Sequence, residues 1–166
     1  MFRSLVVASA LTAALIPGAA AQAAPRDAAY LRVAHQTNLA EIAGNRIALR
    51  KSPDPDIRAV AVRFIQDHMA MDAEVIRVAA LLQVRLPDLP SAEQQALGNR
   101  YEATPASLFD PLYVSTQMAG HAKALAGARQ EADHGDDVQV RQVAAAAVPV
   151  IAAHHHALDT VGYGRP

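Results

Sequence analysis

Apolar residues return along this chain at alternating steps of three and four, the spacing that lines one face of an α-helix. A first run, over about residues 27–50, puts Leu31, Ala34, Asn38, Glu41, Asn45 and Ala48 on one face. The middle of that stripe is polar. "SPDPDI" ends the run, with Asp54 suited to cap free backbone N–H groups and Pro55 to a first helical position. The second run carries Ile57, Ala61, Phe64, His68, Met71, Val75, Val78 and Leu82, and stops before Pro87.

The next stretch, "LPDLPSAEQQALGNRYEATPASLF", is too polar and too broken by proline to continue that helix. It predicts one short helix opening at Ser91, with Gln94 as its capping-box partner. Residues 85–108 form a longer connection than antiparallel neighbours need, so they predict a crossover that leaves the flanking long helices parallel. A third long helix is predicted from Asp110-Pro111, with Val114, Met118, His121, Leu125, Ala128 and Ala132 inward. "HGDD" breaks the chain and Asp136 is the expected cap of the last helix. Val140, Ala144, Ala147, Ile151, His154 and Leu158 line it. Pro149 inside it predicts a kink and a free carbonyl at Ala145, and the end "GYGRP" is expected to fray. The fold class expected is all-α: a ferritin-like four-helix bundle with a long crossover containing a short helix between helices two and three.

The start, "MFRSLVVASALTAALIPGAAAQAAP", has the build of a secretory signal. Arg3 supplies the charged part, residues 5–16 the apolar part, and Ala21-Gln22-Ala23 an A-x-A cleavage site. The apolar part is shorter than the roughly 20 residues a spanning helix needs. The expectation is a signal peptide over residues 1–23 and a single domain over 24–166, its core about 27–160. The protein is expected to be periplasmic or secreted, with association with the outer membrane left open, and the mature chain to hold no transmembrane segment.

Removing Arg3 leaves 14 Lys+Arg against 16 Asp+Glu, a formal charge of −2. With the signs interspersed, that balance gives no electrostatic reason to bind nucleic acid. The absence of cysteine rules out disulfides, thiolate metal sites and covalent c-type haem attachment. Packing alone must stabilise the fold. Protein partners are not indicated.

The chain resembles a bacterial exported family catalogued as domain of unknown function 4142. The resemblance rests on "NLAEIAGNRIA", "FIQDH", Leu86-Pro87, "FDPLYV", His121 and "VPVIAAH", and covers the span from Tyr30 to about Leu158. It implies a ferritin-like fold and brings no established activity with it. Here "HHH" stands where the family pattern asks only for the first histidine.

His68, His121 and His154 fall on the buried stripes of separate helices, and Glu41 on that of another. One reading is a buried hydrogen-bond network, with the imidazoles donating to Glu41, Asn38 or Gln117, in a non-enzymatic protein of the cell envelope. The other is a metal-binding or redox site. A ferritin-type di-iron centre needs Glu-x-x-His, but Ile65 and Ile151 stand three residues before His68 and His154. Copper suits the residues better. Met71 lies one turn after His68 and Met118 one turn before His121, so thioether and imidazole share a face. The commoner use of such methionines is core filling. A b-type haem lacks the aromatic walls it would need, and no nucleophile elbow marks a hydrolase. His155 and His156 are expected to face solvent, Asp67 and Asp72 to flank the stripe, and Arg63 to pair with Asp67.

Overall fold

The computed structural model describes residues 23–163 as five helices, with no strand among the described residues. They are α1 (Pro25–Lys51), α2 (Pro55–Leu81), α3 (Ala92–Ala103), α4 (Ala106–His134) and α5 (Val138–Tyr163). The signal segment expected over residues 1–23 lies outside the described residues, Ala23 excepted, and so do the last three residues. The count is five rather than four, because the short segment between the long helices is a regular helix of 12 residues.

Sequence explains most of the ends. Asp54 Oδ1 accepts from Asp56 N at 2.8 Å, with Pro55 opening α2 where no N–H is required. Ser91 and Gln94 form a full capping box at α3. Two predicted starts are corrected. α4 begins at Ala106, a turn before Asp110-Pro111. The extra turn brings Phe109 fully into the core, stacked on Tyr113 at 5.7 Å. Pro111 is tolerated inside the helix because the carbonyl it releases belongs to exposed Ser107. The cap of α5 is Asp137 rather than Asp136: its Oδ1 accepts from Gln139 N and Val140 N at 2.7 and 3.2 Å. Buried Asp27 holds the N–H groups of Asp136 and Asp137 at 3.0 and 2.6 Å, which fixes the turn in that register. α5 continues through Pro149 to Tyr163, and the fraying expected of "GYGRP" falls mostly on residues 164–166, outside the described residues.

Side-chain pairs give the helix directions. Arg26 reaches Glu131 at one end of α1 while Tyr113 donates to Asn45 near the other, so α1 and α4 run in opposite senses. Val75 and Val78 cluster with Val140 while Asp67 meets His154, which makes α2 and α5 antiparallel as well. Short turns join α1 to α2 and α4 to α5. α3 lies along α1, tied by Gln94 to Thr37 at 3.3 Å and by Arg50 and Lys51 to Glu102.

The apolar core is divided along the bundle. Toward one end lie Ile47, Ile57, Ala61, Phe64, Tyr101, Phe109, Tyr113 and Leu158. Toward the other lie Leu31, Val75, Val78, Leu82 and Val140. Between them the inward positions turn polar: Asn38 on α1, His68 on α2, Gln117 and His121 on α4, and His154 on α5 are all buried. This belt is where a site can be.

Removing Asp27 tests the clasp that sets the α4–α5 turn. Asp27→Ala removes the acceptor of two backbone N–H groups in a half-buried turn, at about 0.5–1.5 kcal/mol for each bond. Urea denaturation should show a midpoint lowered to match, with an unchanged slope.

Candidate metal centre

Four side chains meet in the belt. The ligating nitrogens of His68, His121 and His154 all lie within 4.8 Å of one another, and all three residues are buried. Glu41 Oε2 stands 4.0 Å from His68 Nε2, with 13% of its side chain exposed. Phe64 packs flat on His154, ring centroids 3.9 Å apart, and closes the cluster toward the aromatic end. Alternating steps of three and four along α2, α4 and α5 aim the imidazoles inward at one level.

Each ring has one nitrogen bound on the outside. His68 Nδ1 donates to Asn38 Oδ1 at 2.9 Å, and His121 Nδ1 to the Gln117 carbonyl, one turn back, at 2.9 Å. His154 Nε2 donates to Asp67 Oδ2 at 2.8 Å. A neutral imidazole has a single N–H. With the N–H groups spent outward, His68 Nε2, His121 Nε2 and His154 Nδ1 turn bare lone pairs toward one another. His121 Nε2 and His154 Nδ1 are 3.3 Å apart, and His68 Nε2 has no hydrogen-bond partner. The buried Gln117 Oε1 lacks one too.

Protons do not relieve this crowding readily. Burial pushes His68 well below the ordinary histidine value, and the neighbouring His121 and His154 push it further. His154 is lowered from 6.5 to about 4, mainly by burial, although its hydrogen bond to Asp67 works the other way. Burial raises the Glu41 carboxyl, opposed by His121 and by hydrogen bonds from Gln117 and Asn45. Imidazoles held neutral near pH 7 are ready to bind a metal without first losing a proton.

The histidines and Glu41 named from sequence are thus brought close together. Met71 and Met118 stand in apolar surroundings on either side: Met71 against Ala128, Ala147 and Ile151, Met118 in the cluster of Phe64 and Tyr113. Arg63 and Asp67 pair at 3.4 Å as expected, but Asp67 also anchors His154, which spacing along one helix does not reveal. His35 escaped notice although it sits four residues after Leu31 and three before Asn38, a helical repeat as regular as the one through Ala34. It is buried and joined to Asp72 at 2.7 Å.

The lowered imidazoles give a sign to the pH dependence. An unfolded His154 takes its proton near 6.5 and the folded one near 4, so its contribution is complete above about pH 6.5 and is lost as pH falls toward 4. Glu41, raised, acts in the opposite sense. Denaturant midpoints of the metal-free protein should therefore drop from pH 7 to pH 4.5. The drop should be smaller in His154→Phe; an equal drop in both proteins would show that His154 is not held neutral.

No curated protein matches the chain. Among solved structures, the crystal structure of a DUF305 fragment from Deinococcus radiodurans superposes with a TM-score of 0.76, covering 87% of this chain and 99% of that one. At 12% identity the likeness speaks for the helical fold alone. The profile of the domain of unknown function DUF4142 matches residues 13–161, which takes in the whole polar belt, and the chain belongs to that family.

Proposed function

We propose that this is an exported cell-envelope protein, non-enzymatic, whose ferritin-like bundle holds one transition-metal ion on His68, His121 and His154, with Glu41 as the fourth ligand. The observation that carries the reading is the set of three buried ring nitrogens within 4.8 Å, each with its N–H engaged elsewhere. Metal–nitrogen bonds of 2.0–2.1 Å at a tetrahedral angle separate two ligand nitrogens by about 3.3 Å. His121 Nε2 and His154 Nδ1 already stand 3.3 Å apart. Closing the set asks His68 to approach by up to about 1.5 Å, and Glu41, which lies outside the 4.8 Å group, to move further. The bond from His154 to Asp67 has the form of the carboxylate–histidine pairs that orient metal-binding imidazoles. Export is supported by the signal-like start of the sequence.

Imidazole suits copper and zinc, and among divalent ions copper binds such a site more tightly than zinc on the general order of stabilities. Burial raises the Glu41 carboxyl, so any proton it keeps would be released on binding. A second reading, a structural polar core, draws support from the partner that every imidazole already has. In that case the belt fixes helix register and binds nothing.

Competition titrations with Cu(I) and Zn(II) decide between them, on protein with His155 and His156 replaced to silence the outer histidines. Wild type should take up one equivalent, and His121→Ala should lose it. Met71→Leu and Met118→Leu report on the thioethers: retention of affinity leaves the imidazoles as the binding set, and a sharp loss for Cu(I) alone brings a methionine into it. If neither ion binds wild type at one equivalent, the metal reading fails.

A further inference from the structure

Beside the imidazole cluster lies a second set of buried polar side chains that takes no part in holding an ion: His35, Asn38 and Asp72, each less than 10% exposed. His35 Nδ1 donates to Asp72 Oδ1 at 2.7 Å, and Asn38 Nδ2 donates to the same oxygen at 3.4 Å. Their order matters. An ionised carboxylate only accepts, so the amide nitrogen of Asn38 must face Asp72 and its oxygen must face away. That oxygen meets His68 Nδ1 at 2.9 Å. A carbonyl oxygen also only accepts, so Nδ1 carries the proton of the neutral ring. His68 Nε2 is then bare and aimed at the other two histidines.

The competing arrangement is visible in the same place. Glu41 Oε2 lies 4.0 Å from His68 Nε2, and a carboxylate there favours an N–H pointing at it. At that distance it makes no hydrogen bond, whereas Asn38 makes one. The tautomer is held by the side of the ring away from the cluster.

We propose that Asp72, buttressed by His35 and acting through Asn38, is a positioning residue that sets the tautomer of His68 and so presents Nε2 for metal binding. The consequence for affinity rests on the metal reading above; the tautomer itself does not, because it exists without an ion. Asp72 makes no hydrogen bond to any of the three clustered imidazoles, and reaches His68 through Asn38. Its effect is therefore orientation, passed along two hydrogen bonds that are both buried.

The test is a proton–nitrogen correlation spectrum of the imidazoles in metal-free, nitrogen-15-labelled protein at pH 7.5, read together with Zn(II) affinity. In wild type, His68 should show a protonated Nδ1 and a bare Nε2. In Asp72→Asn the Asn38 amide is free to turn, and the spectrum should show His68 partly or wholly protonated at Nε2. Zn(II) affinity should fall about 10- to 100-fold, as for other residues that orient a ligand. Asn38→Leu, which removes the acceptor, should reproduce both changes. A protonated Nε2 in wild type overturns the proposal even if no variant folds. An unchanged tautomer in a folded Asp72→Asn overturns it as well. If the tautomers behave as described but wild type takes up no Zn(II), the metal reading fails and the positioning role of Asp72 stands.

Discussion

Three imidazoles turned edgewise toward one another in the buried interior are a costly arrangement, and the rest of this structure is organised around it. Buried polar atoms are tolerated when they are paired. Here one nitrogen of each ring is paired and the other is not given a donor. Two lone pairs at 3.3 Å repel, and a proton placed between them is disfavoured by burial. Under the proposed reading, a cation meets the requirement that a proton meets poorly.

The apolar parts of the bundle make sense as the two walls of that belt. Phe64 covers His154 on one side, with Tyr101, Phe109 and Tyr113 clustered behind it. Val75, Val78, Leu31 and Val140 fill the other. The first wall also carries polar contacts: Tyr113 donates to Asn45, and Asn45 donates to Glu41. Glu41, which faces His68, is thereby held through Asn45 by a tyrosine deep in the aromatic cluster. Gly44 lets Tyr101 lie close against α1, since a Cβ there would come within 3.3 Å of the ring.

Sequence made the helices, the short α3 and its capping box legible, because each depends on local spacing and local hydrogen bonds. It also placed His68, His121 and His154 inward, since inward-facing positions follow from periodicity alone. It failed where the deciding contact is distant in the chain. The start of α4 turns on Phe109 reaching the aromatic cluster, and the cap of α5 on Asp27, over a hundred residues away. Asp67 looked like a partner for Arg63 because that pairing lies one turn off, while its bond to His154 spans 87 residues. His35 was hidden for a different reason: two equally good helical repeats pass through Leu31 and Asn38, and the choice between Ala34 and His35 is made by Asp72 on the next helix.

The anchors of the three imidazoles are not equivalent, and the difference bears on how the site assembles. His121 is held by a carbonyl of its own helix, so α4 alone orients it. His68 is held through Asn38 and Asp72, within the α1–α2 pair. His154 takes its anchor from Asp67 across the α2–α5 contact, so it is oriented only when the two helical hairpins have closed. The bare nitrogens belong to both hairpins: His68 to one, His121 and His154 to the other. An ion bound by all three would tie the hairpins together at mid-height. Ligand binding to the folded form alone stabilises it by mass action. In this chain that stabilisation would act on the closure of one hairpin against the other, the same step on which the orientation of His154 depends.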